Sequence, residues 1–230
     1  MCFPAYNEEK NIANILNDCL SLKRNSAFRW EFVIVDDGSK DKTGEVVKEY
    51  SKKNRSIVYH KHEKNLGYAS AFRSCLQKAT GDAVFVIDGD NQYDLKEYMK
   101  FVDAIASGFD FVSGCRKKIG DSFHRILMSK GYNLIFRTLF GTDYMDIDVG
   151  FKAFKKEIAK EISKKIKYEG MPVGAEVFAW ALKMKLKIKI IPVKHFKRKG
   201  DGTRIYFPWK LPVMITKITY NMLKLKLETM

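Results

Sequence analysis

The run Val84-Phe85-Val86-Ile87 passes without a break into Asp88-Gly89-Asp90-Asn91-Gln92, and this junction constrains the fold more than any other stretch. A β-branched and aromatic run with no polar alternation reads as a strand covered on both faces, as in a parallel sheet between helix layers. Ligands of such sheets collect beyond the carboxyl ends of the strands, which makes two aspartates and an amide at that place candidates for chemistry. Asp88 and Asp90 can turn toward one hard cation, Mg2+ or Mn2+, whose other ligands would be water and diphosphate oxygens. Gln92 adds a neutral oxygen. Asp-Gly-Asp-Asn is equally good turn chemistry, so the junction alone does not separate a metal site from a surface turn.

The same alternation recurs along the chain. A very short apolar piece, Met1-Cys2-Phe3, leads into an amphipathic run from Glu8 to about Leu22 that Asn7 is placed to cap. Phe32-Val33-Ile34-Val35 ends in Asp36-Asp37-Gly38-Ser39 before a helix from about Thr43 to Tyr50. Ile57 to His60 is a third strand, followed by Asn65-Leu66-Gly67-Tyr68 and a helix from Ala69 to Ala79. After the Val84 strand come a helix around Leu95 to Ala106 and a strand from Phe109 to Ser113. Strands alternating with helices predict βαβ units: an α/β fold with a mostly parallel, Rossmann-like sheet flanked by helices. There is no G-x-G-x-x-G and no P-loop. Carboxylates stand at the strand ends instead.

With 230 residues, 46% of them hydrophobic, the chain has the size of one substantial domain. A formal charge of +15 favours an anionic partner: nucleic acid, phosphorylated small molecules or an anionic bilayer. Nucleic acid is disfavoured by the acidic strand ends and by the lack of a recognised motif. Cys2, Cys19, Cys75 and Cys115 have no C-x-x-C spacing, which points to neither zinc nor a disulfide framework and fits a reducing compartment. No stretch reaches the about 18 uninterrupted apolar residues of a membrane span. The expected location is the cytoplasm, peripheral on the cytoplasmic face of the membrane.

Pro4-Ala5-Tyr6-Asn7-Glu8, Val35-Asp36-Asp37-Gly38-Ser39, Asn65-Leu66-Gly67 and Asp88-Gly89-Asp90, in this order, together resemble the family 2 glycosyltransferases. The similarity continues through Gly114-Cys115-Arg116, Asp146-Ile147-Asp148-Val149-Gly150-Phe151-Lys152 and Pro192-Val193-Lys194-His195-Phe196-Lys197-Arg198. This later pattern looks most like the dolichyl- and polyprenyl-phosphate mannosyl- or glucosyltransferases. The resemblance implies a GT-A fold, a nucleotide-sugar donor and inversion at the anomeric carbon. Carried over by position, Pro4, Tyr6, Glu8 and Asp37 hold the base and ribose, with Ala5, Asp36, Asn65, Gly67 and Gly89 completing the donor-binding set. Asp88, Asp90 and Gln92 hold the metal, and Arg116 faces the diphosphate or the acceptor phosphate. Asp146 and Asp148 orient the sugar hydroxyls or the acceptor; with Asp88, Asp90 and Arg116 they form the expected catalytic set. The chain departs from the family in two places: the first strand is clipped, and Tyr68 stands where a basic residue is common.

The second half carries three further patterns. From Arg116 to Phe140, basic and apolar residues mix as on a helix that either packs on the sheet or presents its charges to a lipid phosphate; Ser129 and Arg137 are the acceptor-phosphate candidates. Lys183, Lys185, Lys187 and Lys189 alternate with apolar residues, as on an edge strand protected by lysines. His195 and Arg198, and with them Arg204, sit in a glycine-flanked loop as candidate donor-binding groups, although a lone histidine is as readily a hydrogen-bonded loop residue. Residues 1–206 then form the GT-A domain, and residues 207–230 an amphipathic segment with Lys210, Lys217, Lys224 and Asn221 on one face, suited to an anionic interface.

The expected reaction is metal-dependent transfer of a hexose, from GDP-mannose or UDP-glucose, to a dolichyl or polyprenyl phosphate. An ionised phosphate is already a nucleophile, so positioning and charge neutralisation carry the step. The alternatives are a sugar-hydroxyl acceptor, for which Asp146 or Asp148 must act as base, and a non-catalytic GT-A-like binding protein.

Overall fold

The computed structural model describes residues 1–116, 123–196 and 211–230, with side chains described from 128 onward in the second stretch and from 213 onward in the third. The strands are β1 (Cys2–Ala5), β2 (Phe32–Asp36), β3 (Ile57–Lys61), β4 (Ala83–Ile87), β5 (Phe111–Arg116), β6 (Phe151–Lys155) and β7 (Ile188–Val193). The helices are α1 (Ile12–Arg24), α2 (Thr43–Lys53), α3 (Tyr68–Lys78), α4 (Tyr98–Ala106), α5 (Phe123–Phe140), α6 (Lys156–Lys165), α7 (Val173–Lys183) and α8 (Leu211–Thr229). The described strands form one sheet in the order β3-β2-β1-β4-β6-β5-β7. Neighbours are parallel except around β6, which runs against both β4 and β5.

Strand side chains alternate between two cores. Val33, Val35, Val84 and Val86 face α3 and the helices of the second half. Phe32, Ile34, Phe85 and Ile87 face α1, α2 and α4. Both faces are therefore covered, which is why these runs are apolar without alternation.

The chain order moves outward from β1 through β2 to β3, then returns to the other side of β1 at β4. That reversal creates a crevice at the carboxyl ends of β1 and β4. Pro4 helps to open it. Met1 and Ala5 bond toward β2 through their carbonyls, so Pro4 faces β4, where the pairing stops at Cys2↔Val86. A residue with no N–H to donate therefore sits where no ladder bond is made.

Several elements differ from the sequence expectation. β1 is only four residues long but lies inside the sheet. α1 begins at Ile12 after Asn11. Asn7, with φ 54°, does not cap it but accepts from the Lys40 N–H through Oδ1 at 2.8 Å. The lysine alternation from Lys183 is not one strand: α7 runs to Lys183, Lys185 turns with φ 53°, and β7 starts only at Ile188. β7 is nevertheless an edge strand. β6 has no counterpart among the strands that the sequence predicts.

α8 docks through Met222 and Leu225, both with no exposure, and through the buried Asn221. Asn221 thus does not share an outward face with Lys217 and Lys224, which are exposed. The outward face is apolar, with Val213, Tyr220, Leu223, Leu227 and Met230 all exposed.

Candidate active site

The crevice is built from three acidic strand ends and one turn. At β2, Asp36 has no exposure. Its Oδ1 accepts from the Ser39 N–H at 2.8 Å and its Oδ2 from the Tyr59 hydroxyl at 2.7 Å. Asp36 thus holds Ser39 and Tyr59 in place at the end of β2. Asp37 is also committed. Its Oδ1 pairs with His62 Nδ1 at 2.7 Å and accepts from the Leu66 N–H at 2.9 Å, and its Oδ2 accepts from the Gly67 N–H at 2.9 Å. The other ring nitrogen of His62, Nε2, lies 2.9 Å from Ser74 Oγ, so the imidazole links Asp37 to α3. Asp37 pulls the 65–67 segment onto β2. Gly38, with φ +71°, permits that approach, since a Cβ there would lie 2.5 Å from the Lys64 carbonyl carbon.

At β1, the Asn7 N–H donates to Ser39 Oγ at 2.9 Å and the Glu8 N–H to Thr43 Oγ1 at 2.8 Å. The buried Glu8 side chain accepts from Asn11 at 2.7 Å. Pro4 and Ala5 are buried, whereas Tyr6, Asn65 and Leu66 reach solvent. Gly89 packs under Pro4, whose carbonyl oxygen would be 2.6 Å from a Cβ at that position.

At β4, Asp88 and Asp90 are half-buried. The Asp88 N–H bonds to the Gly150 carbonyl at 2.9 Å, and the Gly150 N–H to the Tyr93 hydroxyl at 2.9 Å. A Cβ on Gly150 would lie 1.8 Å from Asp88 Oδ2, so this glycine makes room for the carboxylate. The Tyr68 hydroxyl donates to Asp88 Oδ1 at 2.5 Å. Crowding of the hydroxyl end by protein, with the charge of Asp88 and the hydrogen bond to it added, raises the Tyr68 hydroxyl above its ordinary range.

The turn 146–150 faces β4. Arg116, at the end of β5, donates to Asp146 through Nε at 2.9 Å, Nη2 at 2.7 Å and its backbone N–H at 3.0 Å. Burial alone would raise the Asp146 carboxyl, but the hydrogen bonds and charge of Arg116 outweigh it and hold the group below the usual carboxylate range. The guanidinium fork expected at a phosphate is therefore engaged with Asp146, and the pair fastens the turn to β5. Asp148 differs. Crowding by protein lifts its carboxyl to about 6, against the opposing charges of Lys152 and Arg116. Its side chain still opens to the cleft, whose water moderates that rise. The sequence pattern assigns Lys152 no role. Its side chain is buried beneath the cluster and its ammonium donates to the Val149 carbonyl. Burial lowers its basicity while Asp148, Asp88 and Asp146 sustain its charge. A lysine set between Phe151 and Ala153 was the available signal.

Gln92 is buried, and its amide donates to the Phe196 carbonyl at 2.8 Å, answered by the Phe196 N–H to the Gln92 carbonyl at 2.8 Å. Gln92 thus fastens the 194–196 segment over β4, and His195 lies against the Tyr93 ring, centroids 5.1 Å apart. Arg198 and Arg204 lie outside the described residues. Ser129 Oγ accepts from Asn133 at 3.2 Å, while Asn133 Oδ1 accepts from the Ile147 N–H at 3.0 Å. Through Asn133, α5 steadies the same turn. Arg137, one turn further along α5, donates through Nη1 to the Met145 sulfur at 3.4 Å, and its buried Nε has no partner among the described residues.

Asp88 and Asp90 carry hard oxygen donors of the kind that Mg2+ or Mn2+ takes, and Asp90 Oδ1 accepts from the Gln92 N–H at 3.2 Å. Two carboxylates leave the remaining positions for diphosphate oxygens and water.

Residues 1–163 match Glycosyl transferase family 2. The chain belongs to this family. The undecaprenyl-phosphate 4-deoxy-4-formamido-L-arabinose transferase of Pectobacterium atrosepticum is 30% identical over 94% of this chain and 65% of its own length. The dolichyl-phosphate beta-glucosyltransferase of Dictyostelium discoideum is 27% identical over 86% of this chain and 66% of its own. The curated relatives are longer, and the chain spans as little as 48% of one of them. The glucosyl-3-phosphoglycerate synthase of Mycobacterium tuberculosis, solved with Mn2+, UDP and glucosyl-3-phosphoglycerate, superposes with a TM-score of 0.67 at 16% identity, over 99% of this chain and 78% of that one. The fold expected of family 2, GT-A, is thus the fold found. Among the described residues no helix is long and apolar enough to cross a membrane.

Proposed function

We propose that this family 2 chain transfers a hexose from a nucleotide diphosphate sugar, GDP-mannose or UDP-glucose, to a dolichyl or polyprenyl phosphate. The observation that carries the reading is the meeting of Asp88, at the end of β4, with the turn 146–150 across one backbone hydrogen bond. This brings metal-type carboxylates and the Arg116–Asp146–Asp148–Lys152 cluster to one crevice. The names of the relatives, which act on undecaprenyl and dolichyl phosphates, support the acceptor class. Mn2+ and UDP in the superposed synthase support a nucleotide donor and a divalent ion.

In this reading Asp88 and Asp90 hold Mg2+ or Mn2+, which as a Lewis acid supplies charge stabilisation for the departing diphosphate. The protein's own groups do the rest. Pro4, Tyr6 and Asn65 wall the nucleotide pocket, and Asp37 sets the position of the 65–67 wall. Asp148 faces the sugar, held by a turn that Arg116 and Lys152 keep rigid. Arg137, whose guanidinium has no carboxylate partner among the described residues, is the acceptor-phosphate candidate, in keeping with the forked match of arginine to phosphate.

The exposed apolar face of α8, bordered by Lys217 and Lys224, supports contact with an anionic membrane surface, where the acceptor resides. The proposed location is the cytoplasmic face. A second reading has one supporting feature: Asp148, exposed at the cleft with its carboxyl raised by crowding above the usual range, can serve as a general base for a sugar hydroxyl.

Purified protein incubated with Mn2+, labelled GDP-mannose or UDP-glucose, and either a polyprenyl phosphate in detergent or a soluble sugar alcohol separates the two. Label entering the lipid phosphate is the expected result. Transfer to alcohols alone, under matched conditions, overturns the phosphate acceptor.

A further inference from the structure

Tyr68 stands outside the roles assigned above, and its placement is specific. It is the first residue of α3, its ring lies against Phe72 with centroids 6.2 Å apart, and it is 45% exposed to the crevice. Its hydroxyl reaches a residue 20 positions away, Asp88, at 2.5 Å. The carboxylate it holds is confined on the opposite side by Gly150, where even one added carbon would overlap Oδ2. Asp88 is thus gripped between a hydroxyl donor and a glycine. Tyr68 is itself fixed from behind: Gly67, with φ +93°, caps α3 and gives its N–H to Asp37, and Leu66 does the same.

A carboxylate that binds a metal through part of its lone pairs keeps its orientation only if another donor holds the rest. Loss of such an outer partner typically costs about 10–100-fold in metal affinity. We propose that Tyr68 is a positioning residue for the divalent ion: its hydroxyl fixes the Asp88 carboxylate so that the remaining lone pairs of Asp88 converge with Asp90 on one cation. This rests on the reading of Asp88 and Asp90 as the metal ligands. Because phenylalanine keeps the ring and its packing, the hydroxyl can be removed alone.

The test is a Mn2+ titration of the purified chain, free Mn2+ being read by electron paramagnetic resonance, for wild type, Tyr68→Phe and Asp90→Asn. Circular dichroism melts accompany each to establish folding. Tyr68→Phe is expected to weaken Mn2+ binding by about 10-fold or more, within the range for lost outer partners, with an unchanged melt. Asp90→Asn is expected to abolish it. If Tyr68→Phe binds Mn2+ like wild type while Asp90→Asn does not bind, the role of Tyr68 is refuted and the metal site stands. If Asp90→Asn binds like wild type, the metal site itself is refuted, and the positioning role with it.

Discussion

Replacing Asp146 by Asn tests whether the Arg116–Asp146 pair is a fastening rather than a pair of ligand contacts. Three N–H groups of Arg116 converge on this one carboxylate, with side-chain exposures of only 15% and 8%. Removing one partner of a buried pair leaves an uncompensated charge and costs about 3–5 kcal/mol. Asparagine retains one acceptor oxygen, which places the expected loss at the lower end, about 3 kcal/mol. For a chain of this size that is a fall in Tm of roughly 10 °C, at about 2–4 °C per kcal/mol. The pH dependence has a definite sign. The folded Asp146 carboxyl is depressed, so its stabilisation is present above the unfolded carboxylate range and is lost as pH falls through the folded value. The deficit of Asp146→Asn should therefore be full at pH 7 and shrink in acid. The double variant Arg116→Met/Asp146→Leu should recover much of the loss, because apolar replacement of a whole buried pair is often neutral. Thermal and guanidinium melts of wild type and these two variants give the comparison. An Asp146→Asn protein melting within about 2 °C of wild type at pH 7, well short of the expected fall, would return Asp146 to a direct role at the sugar.

Three further outcomes are expected. Gly150→Ala forces a carbon into the space of the Asp88 carboxylate, 1.8 Å from Oδ2; it should abolish Mn2+-induced thermal stabilisation, and preserved stabilisation would show that Asp88 does not need this place. Asp148→Asn should nearly abolish transfer to an alcohol and only weaken transfer to a phosphate. It should also remove a stability term that falls as pH rises from the unfolded range to about 6, on the order of 1 kcal/mol after allowing for solvent in the cleft; parallel pH–stability curves for variant and wild type would contradict this. Leu223→Glu with Leu227→Glu, both exposed on α8, should leave stability within about 1 kcal/mol of wild type, as surface substitutions do. The same variant should reduce sedimentation with phosphatidylserine vesicles, and undiminished binding would move the lipid contact elsewhere.

Strands such as Phe32–Asp36 and Ala83–Ile87 were legible because burial on both faces leaves an unbroken apolar run. β6 was not, because Phe-Lys-Ala-Phe-Lys puts a lysine in the middle of a covered strand. The aspartates above it make Lys152 tolerable there, and one of them, Asp88, comes from a distant part of the chain. The lysine alternation after Lys183 misled for the opposite reason: helix packing of the Val173–Ala181 face decides the backbone, and a period of two among solvated lysines carries no energy. In the site, the identity of the acidic strand ends could be read directly. Their commitments could not, since Arg116 meets Asp146 across 30 residues and Asp37 meets Gly67 across 30. A local pattern names a carboxylate but not its partner, and Asp36 and Asp37 proved to be occupied by protein donors for that reason.

The reversed direction of β6 has an implication for how such a chain changes over time. Because that strand runs backward between β4 and β5, the segment entering it must arrive at the rim where β4 departs, bringing Asp148 and Gly150 beside Asp88. In the proposed reading, residues that hold the donor and residues that face the sugar thus share a seam of main-chain bonding. On that reading, substitutions on α5, α7 or α8 would explore new acceptors while this register stays in place.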